Sequence, residues 1–182
     1  MTAPDLVFSE VFRALYPDVL RYLQRRADPA VAEDLAAEVF AVAWRRWADV
    51  PREVRPWLFG VARNLLAEDR RVQGRRRRLE LRLGAERAPG WDEMAGAGAA
   101  LDLRAAWERL SDGDREVLAL VAWDGLTGRE AAQVLGCTRG AFSVRLTRAR
   151  RRLRRLLDDV EPTRAPAPAS RPRTTALEGD LP

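Results

Sequence analysis

The sequence contains no histidine and a single cysteine, Cys137. That excludes a disulfide framework and any ordinary zinc site, so no metal is expected. Without histidine, a phosphate-cradling glycine loop or a plausible nucleophile pair, no catalytic residue and no cofactor is expected either. No apolar run approaches the length of a membrane span. The first residues carry Asp5 and Glu10 rather than a secretory pattern, so the reading is of a cytoplasmic protein without a membrane segment. Lysine is also missing: all 32 basic residues are arginine, the side chain that forks onto phosphates and guanine.

What is present is ordinary for a helical domain or two: 182 residues, 47% apolar and 32% charged. The charge is unevenly placed. Residues 1–73 hold 11 arginines and 11 acids, whereas residues 101–157 hold 12 arginines and 7 acids. The stretch Thr127 to Leu157 concentrates the excess. Thr127 with Glu130 forms a capping box that starts a short helix bearing Ala131, Ala132 and Leu135 on its apolar face. Gly136 ends that helix through a left-handed residue, and Thr138 caps the next. On this second helix Phe142, Leu146, Ala149, Leu153 and Leu156 form a buried stripe, while Gly140, Ser143, Val144, Thr147, Arg148 and Arg151 point away. From Arg139 to Leu157 there are eight arginines and no acid, so the helix repels itself and a polyanion is its natural partner. Short helix, glycine turn and basic second helix describe a helix-turn-helix.

Upstream, residues 6–26 read as a helix in which Pro17 predicts a kink or division. Asp28-Pro29 reads as a cap followed by a first-turn proline, opening a helix to about Trp47 that holds Glu33, Asp34 and Glu38 early. A loop with Pro51 and Pro56 precedes a third helix from about Trp57, which ends near the basic run Arg75 to Arg78. Gly, Ala and Pro dominate residues 84–100, a flexible linker. Helices return at 101–110 and, after a Ser111 cap, at 112–123, with Asp124-Gly125 as a turn. The proline-rich tail beyond Asp158 is expected to be disordered.

This order resembles the extracytoplasmic-function (group IV) sigma factors of bacterial RNA polymerase. AEDLAAEVFAVAW (32–44) resembles the family's polymerase-binding segment, RPWLFGVARNLLAEDRR (55–71) its minus-ten segment, and residues 110–153 its minus-thirty-five region. The resemblance implies an all-α protein of two small helical domains. Residues 1–78 would form sigma region 2, 79–100 the linker, 101–157 the region 4 helix-turn-helix and 158–182 the tail. It implies core RNA polymerase and promoter DNA as partners, an anti-sigma factor as a further one, and no enzymatic activity of its own. By the same resemblance Asp34, Leu35, Glu38, Val39 and Phe40 would dock on polymerase. Trp57, Arg63, Asn64, Arg70 and Arg71 would meet the minus-ten strand, and Thr138, Arg139, Ser143, Arg145, Thr147, Arg148 and Arg151 the minus-thirty-five element. The chain departs from the family at Ala141-Phe142 and Ser143, which bears on its minus-thirty-five preference. The rival readings are a helix-turn-helix regulator that binds an operator without polymerase, and a helical adaptor that binds protein through both halves.

Overall fold

The computed structural model describes residues 3–80 and 99–159, with side chains over 6–73 and 102–159. The expected linker, apart from its edges, the side chains of Arg75 to Arg78 and the tail beyond Asp159 lie outside the described residues. Seven α-helices and one 3-10 turn make up the described residues, with no strand among them. They are α1 (Ala3–Gln24), α2 (Pro29–Arg45), the turn Trp47–Asp49, α3 (Val54–Glu80), α4 (Ala99–Glu108), α5 (Asp112–Ala122), α6 (Gly128–Val134) and α7 (Arg139–Asp158).

Helices α1, α2 and α3 pack against one another. Val19, Tyr22 and Leu23 of α1, Ala36 and Val39 of α2, and Leu58, Phe59 and Ala62 of α3 are almost wholly buried between them. Of the kink or division expected at Pro17, the division does not occur: α1 runs unbroken through it. Pro17 and Arg13 are both exposed, so the carbonyl deprived of its donor lies where water can reach it, and the buried residues that follow anchor the second half. Asp28 has the extended backbone of a cap but makes no side-chain bond; its carbonyl accepts from the Ala32 amide at 2.8 Å, and Pro29 sets the first turn. No acid lies in that first turn. Helix α3 opens at Val54 rather than Trp57, because Pro56 falls in the first turn, where its missing N–H is needed by no bond. It continues to Glu80, and α4 begins at Ala99, so helix reaches into both edges of the expected linker.

In the second half α7 is the hub: α4, α5 and α6 all pack on it. Ser111 caps α5 by accepting from the Asp114 amide at 3.2 Å. Thr127 and Glu130 form the reciprocal box, with the Thr127 amide donating to Glu130 Oε2 at 2.8 Å and Thr127 Oγ1 accepting from the Glu130 amide at 3.3 Å. Gly136 has φ +62°. Its amide donates to Gln133 O at 3.1 Å and the Cys137 amide to Ala132 O at 2.9 Å, which is the paired closure of a Schellman motif. Leu110, Leu118 and Ala149 form a local core with Trp107, Leu146, Leu153 and Leu156 against it.

The two halves touch. Helix α3 packs on α6, and one apolar cluster runs from Val19, Leu58 and Phe59 through to Leu120, Leu126, Ala131, Val134 and Phe142.

Candidate nucleic-acid interface

Thr138 begins α7 by accepting from the Ala141 amide at 3.1 Å, which fixes where the helix starts and hence which residues face outward. At 100° per residue, burial of Phe142 and Ala149 turns Gly140, Ser143, Val144, Thr147, Arg148 and Arg151 to the opposite side. All seven residues expected at the minus-thirty-five element, Thr138, Arg139, Ser143, Arg145, Thr147, Arg148 and Arg151, are exposed. Arg152 is different: its Nη1 donates to Asp114 Oδ2 at 2.6 Å, and the same oxygen accepts from Ser111 Oγ at 2.8 Å. Asp114 is buried, so Arg152 ties α7 to the capped start of α5 rather than standing free in solvent.

The residues expected at the minus-ten strand lie along α3 in several environments. Asn64, Arg70 and Arg71 are exposed, with Arg71 Nη1 3.0 Å from Glu68 Oε2 and Arg70 Nη2 donating to Arg26 O at 3.2 Å. Trp57 is half-buried against the core. Arg63 donates through Nε to Glu116 Oε1 of α5 at 2.7 Å, and this bond, ahead of the opposing effect of burial, raises its pKa further above the ordinary arginine value.

On α2 the five residues expected to dock on polymerase divide by burial. Leu35, Val39 and Phe40 are buried in the domain core, because α2 must fill the space between α1 and α3. Asp34 and Glu38 remain exposed, and towards the end of the same helix Trp44 is 49% exposed. Trp44 and Trp47 pack edge-on against Phe8, with ring centroids 4.8 and 5.1 Å apart.

Sequence reasoning also missed a row of pairs between the halves. Arg26 Nη2 lies 2.7 Å from Asp124 Oδ2, and Arg25 pairs with Asp124 Oδ1. Arg55 Nη2 donates to the Asp124 carbonyl at 2.8 Å, and its Nη1 lies 3.7 Å from Glu130 Oε1. Gln133 Nε2 donates to Glu53 Oε2 at 2.6 Å, and Arg129 Nη2 lies 2.9 Å from Glu53 Oε1. The partners stand up to 99 positions apart, so no local pattern announces them. Among the described residues no helix is long and apolar enough to cross a membrane.

Comparison with known proteins matches Sigma-70 region 2 to residues 11–76 and Sigma-70 region 4 to residues 100–153. The sigma factor SigL of Mycobacterium tuberculosis is 32% identical over 168 residues, covering 85% of this chain and 93% of that protein. BldN of Streptomyces coelicolor, also an ECF RNA polymerase sigma factor, is 33% identical over 163 residues. This chain spans 61% of BldN, and 34% of RfaY of Xanthomonas campestris, to which it is 32% identical over 139 residues. Among solved structures, the sigma factor RpoE of Bartonella quintana, in complex with the anti-sigma factor NepR, matches with a TM-score of 0.67 at 25% identity, covering 85% of this chain and 98% of that one. CnrH in complex with the cytosolic domain of CnrY gives a TM-score of 0.61 at 25% identity, over 86% of this chain and 91% of that one.

Proposed function

The chain belongs to the ECF RNA polymerase sigma factors, and from that membership we propose that it binds core RNA polymerase and directs it to start transcription at specific promoters. The observation that carries the proposal is the pairing of an exposed recognition helix without an acid from Arg139 to Leu157 with a three-helix unit, matched by regions 4 and 2 of the family. The first unit, about residues 1–78, takes polymerase and the minus-ten element. The second, about 101–157, takes the minus-thirty-five element.

The roles follow the exposed chemistry. Arg148 and Arg151, with Ser143 and Thr147 to one side of them, offer forked and hydroxyl donors for base edges, while Arg139 and Arg145 flank them over phosphates. Asn64, Arg70 and Arg71 are the exposed donors for an unpaired minus-ten strand. Trp57 is a partly covered platform beside them, since any extruded base can stack on an aromatic face. Asp34 and Glu38, with Trp44 as an apolar anchor, form the polymerase-docking surface. The chain supplies binding and strand capture in the cytoplasm, and the polymerase supplies the chemistry. The relatives RpoE and CnrH are described in complexes with an anti-sigma factor and with the CnrY domain, which supports a protein inhibitor as a further partner here.

The test is reconstitution with sigma-free core polymerase. Co-elution and promoter-dependent transcripts are expected. The double reversal Asp34→Arg with Glu38→Arg is expected to abolish both while leaving binding to duplex DNA intact. Tight duplex binding without co-elution would instead mark an operator-binding regulator.

A further inference from the structure

Among the described residues, Val144 is the one exposed large apolar side chain on α7, at 50%. Phe142, Leu146, Leu153 and Leu156 of the same helix are buried or half-buried. A single exposed valine is ordinary on a protein surface; what singles this one out is its position. At about 100° per residue, Phe142, Leu146 and Ala149 all lie within about 40° of the direction opposite Val144, so it marks the middle of the outward face. Its neighbours there, Gly140, Thr147, Arg148 and Arg151, are all exposed. It also stands in the N-terminal half of α7, the part of a recognition helix that meets base edges. The surroundings suit a short side chain. The valine methyls sit one bond from Cβ, so they touch a base only where the helix backbone comes close. Gly140, one turn earlier, has no side chain and open space where a Cβ would stand, and Ala141, Ser143 and Thr147 are short. The longer Arg139 and Arg145 can reach past this low patch to phosphates.

We propose that Val144 is a specificity-determining residue of the minus-thirty-five contact, packing its methyl groups on the 5-methyl of one thymine in the major groove. The inference rests on the promoter-reading role proposed for α7. Valine carries neither donor nor acceptor, and the apolar group that a base pair presents in the major groove is the thymine methyl. Set over another base edge, Val144 would take water from a donor or acceptor and return no hydrogen bond. The residue therefore selects thymine at its position and disfavours the other three bases there. The arginines, which fork onto guanine, do not supply that preference.

The experiment uses the full chain bound to core polymerase, and as probe a duplex that this complex selects from a randomised pool. Each thymine of the selected element, on either strand, is replaced in turn by deoxyuridine, which lacks only the 5-methyl. The wild-type complex is expected to lose about fourfold in affinity at one thymine, the effect of one buried methyl group. Val144→Ser is expected to lose the same factor on the thymine probe and nothing further when uridine stands at that position. Valine and serine have similar helix propensity and Val144 lies outside the core, so the variant is expected to keep the wild-type urea midpoint. Arg148→Ala is expected to weaken both probes equally, leaving their ratio unchanged. Three results would overturn the proposal: a selected element without thymine, a wild-type complex indifferent to every uridine, or a Val144→Ser variant that keeps the wild-type response at the same thymine. The last would hand the methyl to another side chain, such as Thr147. Selection of no duplex sequence at all would remove the promoter-reading role of α7 and this inference with it. A selected sequence that Arg148→Ala weakens, with a uridine response independent of Val144, would overturn this inference alone.

Discussion

Tyr22 lies at the centre of the first domain, 1% exposed, with its ring edge-on to Phe59 at 5.1 Å and the Arg26 guanidinium 3.8 Å over its face. Burial disfavours the phenolate and pushes its pKa up to about 12, against a smaller opposing pull from Arg26. The pKa of the folded state is thus above that of the unfolded chain. The stability tied to the neutral phenol is fully present below pH 10 and is lost as pH rises toward 12. Two units correspond to roughly 2–3 kcal/mol. Urea unfolding followed at rising pH is expected to show this loss above pH 10 in the wild-type chain and a smaller one in Tyr22→Phe; equal slopes would show that Tyr22 does not titrate with unfolding. Glu130 carries the opposite sign. Burial raises its pKa, but the Thr127 amide and hydroxyl and Arg55 outweigh burial and hold it low, so its contribution is lost only in acid.

At the scale of the elements, two glycines four positions apart are expected to answer alanine in opposite directions. Gly136 has φ +62° with open space where a Cβ would stand, so strain in the backbone rather than a clash opposes a side chain there. Gly136→Ala is expected to cost about 1–2 kcal/mol, the penalty of a left-handed L-residue, and to loosen the turn that aims α7. Gly140 lies in the first turn of α7 with equally open space and ordinary helical backbone. Gly140→Ala is expected to stabilise by about 0.5 kcal/mol. Urea midpoints of the two variants decide; a shift of both in the same direction would contradict the backbone argument. These devices were legible in the sequence because each is local: Thr127 to Glu130, Gly136 and Thr138 lie within a dozen residues, and their bonds form as the pattern requires. The loop expected at Pro56 failed, and Pro17 left α1 undivided, for the converse reason. Whether a helix accepts proline depends on the exposure of the released carbonyl and on where the helix begins, and both are set by packing.

At the scale of the whole molecule the legible and the illegible divide by sequence separation. The outward face of α7 follows from its own apolar stripe, whereas the burial of Leu35, Val39 and Phe40 depends on how α1 and α3 flank α2. The hold on Arg63 depends on a glutamate 53 positions away in another helix. The two surfaces proposed to read DNA consequently differ in the free protein, one bare and one partly occupied by the protein's own acids. Arg63→Ala should separate them. Binding of the free protein to duplex DNA is expected to be unchanged, because the exposed α7 arginines supply that contact and Arg63 is already paired. With core polymerase the same variant is expected to form fewer open complexes, measured by permanganate reactivity of unpaired thymines, because the phosphate or base that Arg63 should receive is left without its donor. Arg148→Ala should show the reverse order, losing duplex affinity first and strand opening only in consequence. If Arg63→Ala weakens duplex binding as much as Arg148→Ala, Arg63 contributes general charge and the division of labour between the two surfaces fails. If neither readout moves, its bond to Glu116 is structural alone.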